Sequence, residues 1–238
     1  VNTDNLRARA LKAMVLRRLG HEAEAGVLLR ATHALDPLDA WTRLLLGEPF
    51  TASAQTRLDI VHDYLRAGFN REALALLTDA APEAGSGTAP LVAYTAAWIC
   101  HTLEDRDGER RWRETARGTS PDYCFPARLE ELRILSWVTE TDRRDARAAY
   151  YLGNLLYDRR RHAEAIAFWE RAVRHEPAHA IAWRNLGIGY FNAQHEPAKA
   201  RRAYDRAFRV DPADARLLYE RDQLWKRLGV SPAERLRE

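Results

Sequence analysis

The seventy residues from Asp145 to Asp214 are one pattern written twice, and that pattern restricts the fold more than anything else in the chain. Leu152-Gly153 recurs as Leu186-Gly187 at a spacing of 34, while Ala165, Trp169, Ala172 and Pro177 recur as Ala200, Tyr204, Ala207 and Pro212 at a spacing of 35. The one-residue difference falls between Tyr190 and Ala200, where polar Asn192 to Glu196 accommodate it as a longer turn. A period of this size predicts stacked units, each burying its apolar face against the next, rather than one closed core.

Within the first copy, Tyr151, Leu152, Leu155 and Leu156 fall at helical spacing, as do Ile166, Trp169, Ala172 and Val173. Arg159 to Arg161 interrupt the apolar stripe, so each copy reads as two antiparallel helices with a short turn between them. Gly153 and Ala165 are small where the two helices must approach, and Trp169 fills the adjoining space. Glycine inside a helix costs up to about 1 kcal/mol relative to alanine, so its return at the same place argues that packing demands it. Pro177 and Pro212 push the preceding residue out of helical conformation and end each hairpin.

This order of residues resembles the tetratricopeptide repeat, most fully in Trp183, Leu186, Gly187, Tyr190, Ala200, Tyr204, Ala207 and Pro212. The resemblance implies an all-α, right-handed superhelical solenoid of antiparallel helix pairs, irregular in the middle. Degenerate repeats are expected over 1–82, an irregular joint over 83–145, regular repeats over 146–179 and 180–214, and a truncated repeat over 215–238. Leu38 to Leu46 and Ala127 to Thr139 read as lone helices, and Asn70 as the cap of a helix reaching Ala81. Glu83 to Ala89 reads as the most flexible connection. Tyr123 and Phe125 are expected to plug the joint. Because the pattern runs on past Glu238, the chain reads as a segment of a longer protein. PDYCFPARLEELRIL, YYLGNLLYDRRRHAEAI, WRNLGIGYFN and DARLLYERDQL also resemble the C-terminal helical part of large bacterial proteins with a mutarotase-like carbohydrate domain upstream.

Composition narrows the function. Of 37 basic residues only Lys12, Lys199 and Lys226 are lysines, and 34 acids leave a net charge of +3, which points away from nucleic acid. The run Arg106, Arg110, Arg111, Arg113, Arg117 around Trp112 is interleaved with Glu104, Asp105, Asp107, Glu109 and Glu114, the pattern of an exposed ion-paired helix. No apolar run is long enough to cross a membrane. Cys100 and Cys124 have no redox or ligand spacing, which favours a cytoplasmic setting.

No catalytic residue, metal site or cofactor is expected. His175 and His179 are four apart but Pro177 breaks the helix between them, and Cys100 and His101 are neighbours on one helix that point apart. His195-Glu196 lacks the second histidine of a zinc helix, and there is no glycine-rich phosphate loop.

The resemblance places the first helix of each hairpin on the inner, concave surface. Arg147, Tyr150, Asn154, Tyr157 and Asp158 share a helix face there, with Ile181, Arg184, Ile188, Phe191 and Asn192 in the next unit and Arg216, Tyr219, Gln223, Lys226 and Arg227 in the last. Aromatic and arginine side chains commonly anchor protein contacts, so these rows read as a groove for a peptide or protein domain. Tyr150 and Ile188 replace polar members of the carboxylate clamp found in some relatives, so chaperone-tail binding is not expected. The alternative is a structural or oligomerisation arm of a multidomain bacterial carbohydrate-active enzyme, in which the partner is the upstream domain of its own chain; direct sugar binding is a third reading.

Overall fold

The computed structural model describes residues 4–49, 52–79 and 87–236. They form fourteen α-helices and no strand: α1 Leu6–Arg18, α2 Glu22–Leu35, α3 Ala40–Leu46, α4 Ala54–Arg66, α5 Asn70–Thr78, α6 Ala89–Thr102, α7 Arg106–Gly118, α8 Leu129–Thr141, α9 Ala146–Asp158, α10 His162–His175, α11 Ala180–Asn192, α12 Pro197–Val210, α13 Ala215–Arg227 and α14 Pro232–Arg235. The arrangement is the all-α, tetratricopeptide-like order of helix pairs. Two compact units divide the chain, 1–113 and 114–238, with the boundary inside α7.

One turn recurs in both units. In α1–α2, α4–α5, α6–α7, α9–α10 and α13–α14 a single left-handed residue follows the first helix: Gly20, Gly68, Glu104, Arg160 and Gly229. The next amide then reaches back six residues inclusive, as in His21 N to Leu16 O at 2.9 Å, Phe69 N to Tyr64 O at 2.9 Å and Arg161 N to Leu156 O at 2.9 Å. This closure satisfies carbonyls that a helix end leaves open and fixes the reversal of direction. The α11–α12 turn is the longer one expected from the sequence, with His195 left-handed and Glu196 N bonded to Tyr190 O at 2.8 Å.

In the first unit α1 and α2 pack together, and α3 rests on both. The short helix is therefore not alone, and it starts at Ala40 because Asp39 accepts the Thr42 amide at 2.8 Å. The N-cap of α5 is Phe69, with Asn70 already the first helical residue. That helix ends at Thr78; the expected continuation through Ala80 and Ala81 and the start of the 83–89 connection lie outside the described residues. Among the described residues no helix is long and apolar enough to cross a membrane.

In the second unit α9 packs on α10 and α11 on α12, and α8 lies against α9 as α10 lies against α11 and α12 against α13. The helix expected over 127–139 as a lone one runs from Leu129 to Thr141, two residues further along the chain, and is packed against α9. Gly153 and Gly187 sit where the sequence asked for small residues. A Cβ on Gly153 would lie 3.1 Å from the Ala165 carbonyl and against the Trp169 ring, and one on Gly187 would collide with Tyr204. Gly189 has a similar role between hairpins, its absent Cβ leaving space for Ile166 of α10.

Candidate functional site

The turns that join one hairpin to the next determine how first helices present their faces. Asp39, Asp145 and Asp214 cap α3, α9 and α13 by accepting the amides of Thr42, Ala148 and Leu217. The same position before α11 is His179, whose Nδ1 accepts the Ala182 amide at 3.4 Å. Its ring lies 4.4 Å from that of Tyr150, and both are buried. Burial first, and then the Arg147 charge, push the His179 pKa down to about 3, so the ring is neutral and its Nδ1 stays free to accept.

Tyr150 was expected on the open groove and is not there: it is 4% exposed. The connecting segment from Pro121 to Ala127 comes close enough for Cys124 and Asp122 to act on its hydroxyl, and Arg159 donates to the Ala127 carbonyl across the end of α9. Glu131, buried at the start of α8, accepts the amides of Ala127 (2.6 Å) and Arg128 (2.9 Å) and fixes the end of that segment. The backbone alternates along it, so Cys124 and Pro126 turn inward. Tyr123 and Phe125 turn outward, 81% and 75% exposed, which overturns their expected role as plugs.

Three more members of the α9 row are committed to neighbours. Asn154 Oδ1 accepts from Trp169 Nε1 and Asn185 Nδ2, each at 3.0 Å, tying three helices together. Arg147 pairs with Glu176 at 2.7 Å. Tyr157, half-buried, lies over His162 (4.6 Å) and Trp169 (5.2 Å) rather than standing clear.

The row opens further along the chain. Arg184 makes a fork with Glu220, both arms 2.5 Å, and Arg216 adds a third contact to the same carboxylate at 3.0 Å. Burial would raise the Glu220 carboxyl, but the hydrogen bond and charge of Arg184, joined by Arg216, outweigh it and hold the group below the usual carboxylate range. Ile188, Phe191 and Gln223 are half-buried, Asn192 and Lys226 exposed, and Tyr219 is 65% exposed.

The sequence reading missed His179, Asn185, Glu176 and Glu220 as the groups that engage this face. A signal existed for one of them, since His179 stands where the three other turns carry aspartate. Nucleophilic chemistry is disfavoured at Cys100, where burial and then Asp105 push the thiol up to about 11, while His101 turns outward to Glu109 at 3.0 Å. Around Trp112 the expected pairing is present, as in Arg113 with Glu109 at 3.0 Å and Arg110 with Asp107 at 2.7 Å.

Residues 146–179 match the tetratricopeptide repeat family. The matched stretch is α9–α10, the hairpin whose glycine and tryptophan interlock. Among solved structures, the chain is similar to YrrB, described as a TPR protein with an unusual peptide-binding site, at 17% identity over 92% of this chain and 93% of that one, with a TM-score of 0.38. It is similar to MamA 41-end from Desulfovibrio magneticus RS-1 at 20% identity over 74% and 86%, TM-score 0.42. It is also similar to TTC0263, described as a thermophilic TPR protein in Thermus thermophilus, at 17% identity over 92% and 98%, TM-score 0.38.

Proposed function

We propose that the chain is a protein-interaction scaffold, taking a peptide or protein domain on the first-helix face of its last two hairpins. The observation that supports this most is Tyr219, 65% exposed in a row with Arg216 and Gln223 at helical spacing. A large amphipathic ring held on a rigid helix adds contact area with little entropy to lose on binding. Arg184 and Glu220 hold one another across α11 and α13, so these two side chains are ordered before a partner arrives. Ile188 and Phe191 supply partly open apolar surface, and Asn192 and Lys226 a polar margin. Arg147, Asn154 and Tyr157 support this face from α9, and Tyr150 contributes only to the interior.

Selection from a displayed peptide library followed by fluorescence anisotropy tests the proposal. Selected peptides should lose about tenfold or more in affinity with Tyr219→Ala, equivalent to about 1.4 kcal/mol, while circular dichroism stays unchanged. Tyr123→Ala, away from this face, should leave them bound. Peptides indifferent to Tyr219, or no saturable binder at all, would rule the face out.

A further inference from the structure

A second site lies on the other side of α9. Residues of α8, α9 and α10 line a half-open pocket of about 640 Å³, a volume suited to a small molecule. Its apolar lining comes from Leu132 of α8, the buried Leu152 and Leu156 of α9, and Phe168 of α10, and three of its arginines are Arg143, Arg171 and Arg174.

These arginines differ from several others in this unit. Arg117, Arg147, Arg161, Arg184, Arg221 and Arg235 each have a carboxylate within 3.0 Å. Among the described residues, Arg143, Arg171 and Arg174 have none within ion-pair distance. The Nε and Nη2 of Arg171 are buried with no acceptor, although this is the edge with which guanidinium grips an oxyanion. Its carbon stands 4.8 Å from the centre of the Phe168 ring. Burial, and then the nearby Arg143 charge, lower the affinity of Arg171 for its proton, and Asp145 and Asp142 offset them only in part. An arriving anion would offset both costs.

We propose that this pocket binds a small anionic ligand, its oxyanion held by Arg143, Arg171 and Arg174 and its apolar body resting on Leu132 and Phe168. Turning the terminal torsions of Arg171 presents its unused donor pair to the bound group. Glu140 and Glu164 also line the pocket, Glu164 already gripped by Arg161 at 2.6 Å. They disfavour an extended polyanion and leave room for one charged group. Phosphate and carboxylate share the required chemistry.

The probes are phenyl phosphate, benzoate and, as neutral control, phenol, titrated into the full chain and followed by amide chemical shifts. Saturable shifts confined to residues 132–175 are expected for at least one anion, which also identifies the preferred group. Phenol should bind about tenfold more weakly or worse, and Arg171→Gln should weaken the anion by about tenfold, or about 1.4 kcal/mol. Arg174→Gln gives the same test should Arg171→Gln disturb folding. No saturation by either anion up to about 10 mM, equal binding of phenol, or undiminished binding in a folded variant would overturn the proposal. The Tyr219 face has no part in these outcomes.

Discussion

Gly153 and Trp169 interlock: a Cβ on the glycine would stand 2.5 Å from both Cδ1 and Nε1 of the indole. The indole cannot simply move aside, because Nε1 donates to Asn154, which also holds Asn185 of the next hairpin. One absent methyl thus lets α9 and α10 close and sets where α11 attaches.

Gly153→Ala should therefore destabilise the second unit by about 1–2 kcal/mol. An overpacking cost of about 1–3 kcal/mol is partly offset by up to about 1 kcal/mol of helix propensity. Gly26→Ala is the control, since a Cβ there meets only the mobile guanidinium of Arg30 at 3.3 Å. That change should stabilise by about 0.5–1 kcal/mol. Urea titrations of both variants check the pair.

The hairpins could be read from the residues because everything that defines them is local. The small residue, the ring that covers it and the turn lie within about 20 residues and repeat, and periodicity detects such relations. Tyr150 was misplaced because part of what lies against it comes from outside the period and the rest is His179, which departs from the aspartate of the equivalent turns. Residues 121–127 have no counterpart in the repeats, and their alternation, Cys124 inward and Phe125 outward, depends on Glu131 and Arg159 accepting and donating at their end. Arg184 failed as a free binding group for a related reason. Its acceptor, Glu220, is 36 residues ahead and carries no mark in sequence that it faces back.

Neutral His179 makes stability depend on pH. The folded pKa of about 3 lies below the ordinary 6.5, so the unfolded chain binds the extra proton between those values. The contribution is complete above about pH 6.5 and is lost as pH falls, with a limiting slope of about 1.4 kcal/mol per pH unit. His179→Asn retains a capping acceptor but does not titrate. Between about pH 6.5 and 5, where ordinary carboxylates remain ionised, denaturation midpoints should fall more steeply for the parent than for the variant.

Arg184 and Glu220 should show coupling of about 1–2 kcal/mol in a double-mutant cycle of Arg184→Ala and Glu220→Ala, read by urea denaturation. The value is set below that of a fully buried pair because both side chains retain some solvent contact. The Glu220 carboxyl is held down, so its contribution is present above the ordinary carboxylate range and lost as pH falls through the lowered value. Coupling should accordingly diminish in acid.

Arg160 occupies the left-handed position that Gly20, Gly68 and Gly229 occupy in equivalent turns. A side chain costs about 1–2 kcal/mol in that conformation. Glycine removes the strain but gives the unfolded chain more freedom. Arg160→Gly should raise stability by about 0.5–1 kcal/mol, with the Arg161 N to Leu156 O closure intact. Thermal denaturation against Glu104→Gly, a second non-glycine example, checks whether the gain belongs to the turn.

Two caps of the same type should differ in cost. Asp214 accepts the amides of Arg216 and Leu217 at an exposed helix start, so Asp214→Ala should cost about 1 kcal/mol. Asp145 caps α9 through Ala148 at 2.9 Å and also accepts from Arg117 Nε at 3.0 Å, with its own side chain wholly buried. Its removal takes away a cap and a charge-assisted bond together, and about 2–3 kcal/mol is expected for Asp145→Ala. Asp145→Asn retains the capping acceptor while weakening the bond to Arg117, so it should fall between the parent and the alanine variant. Equal losses at the two positions would mean that Arg117 contributes nothing to holding α9 in place.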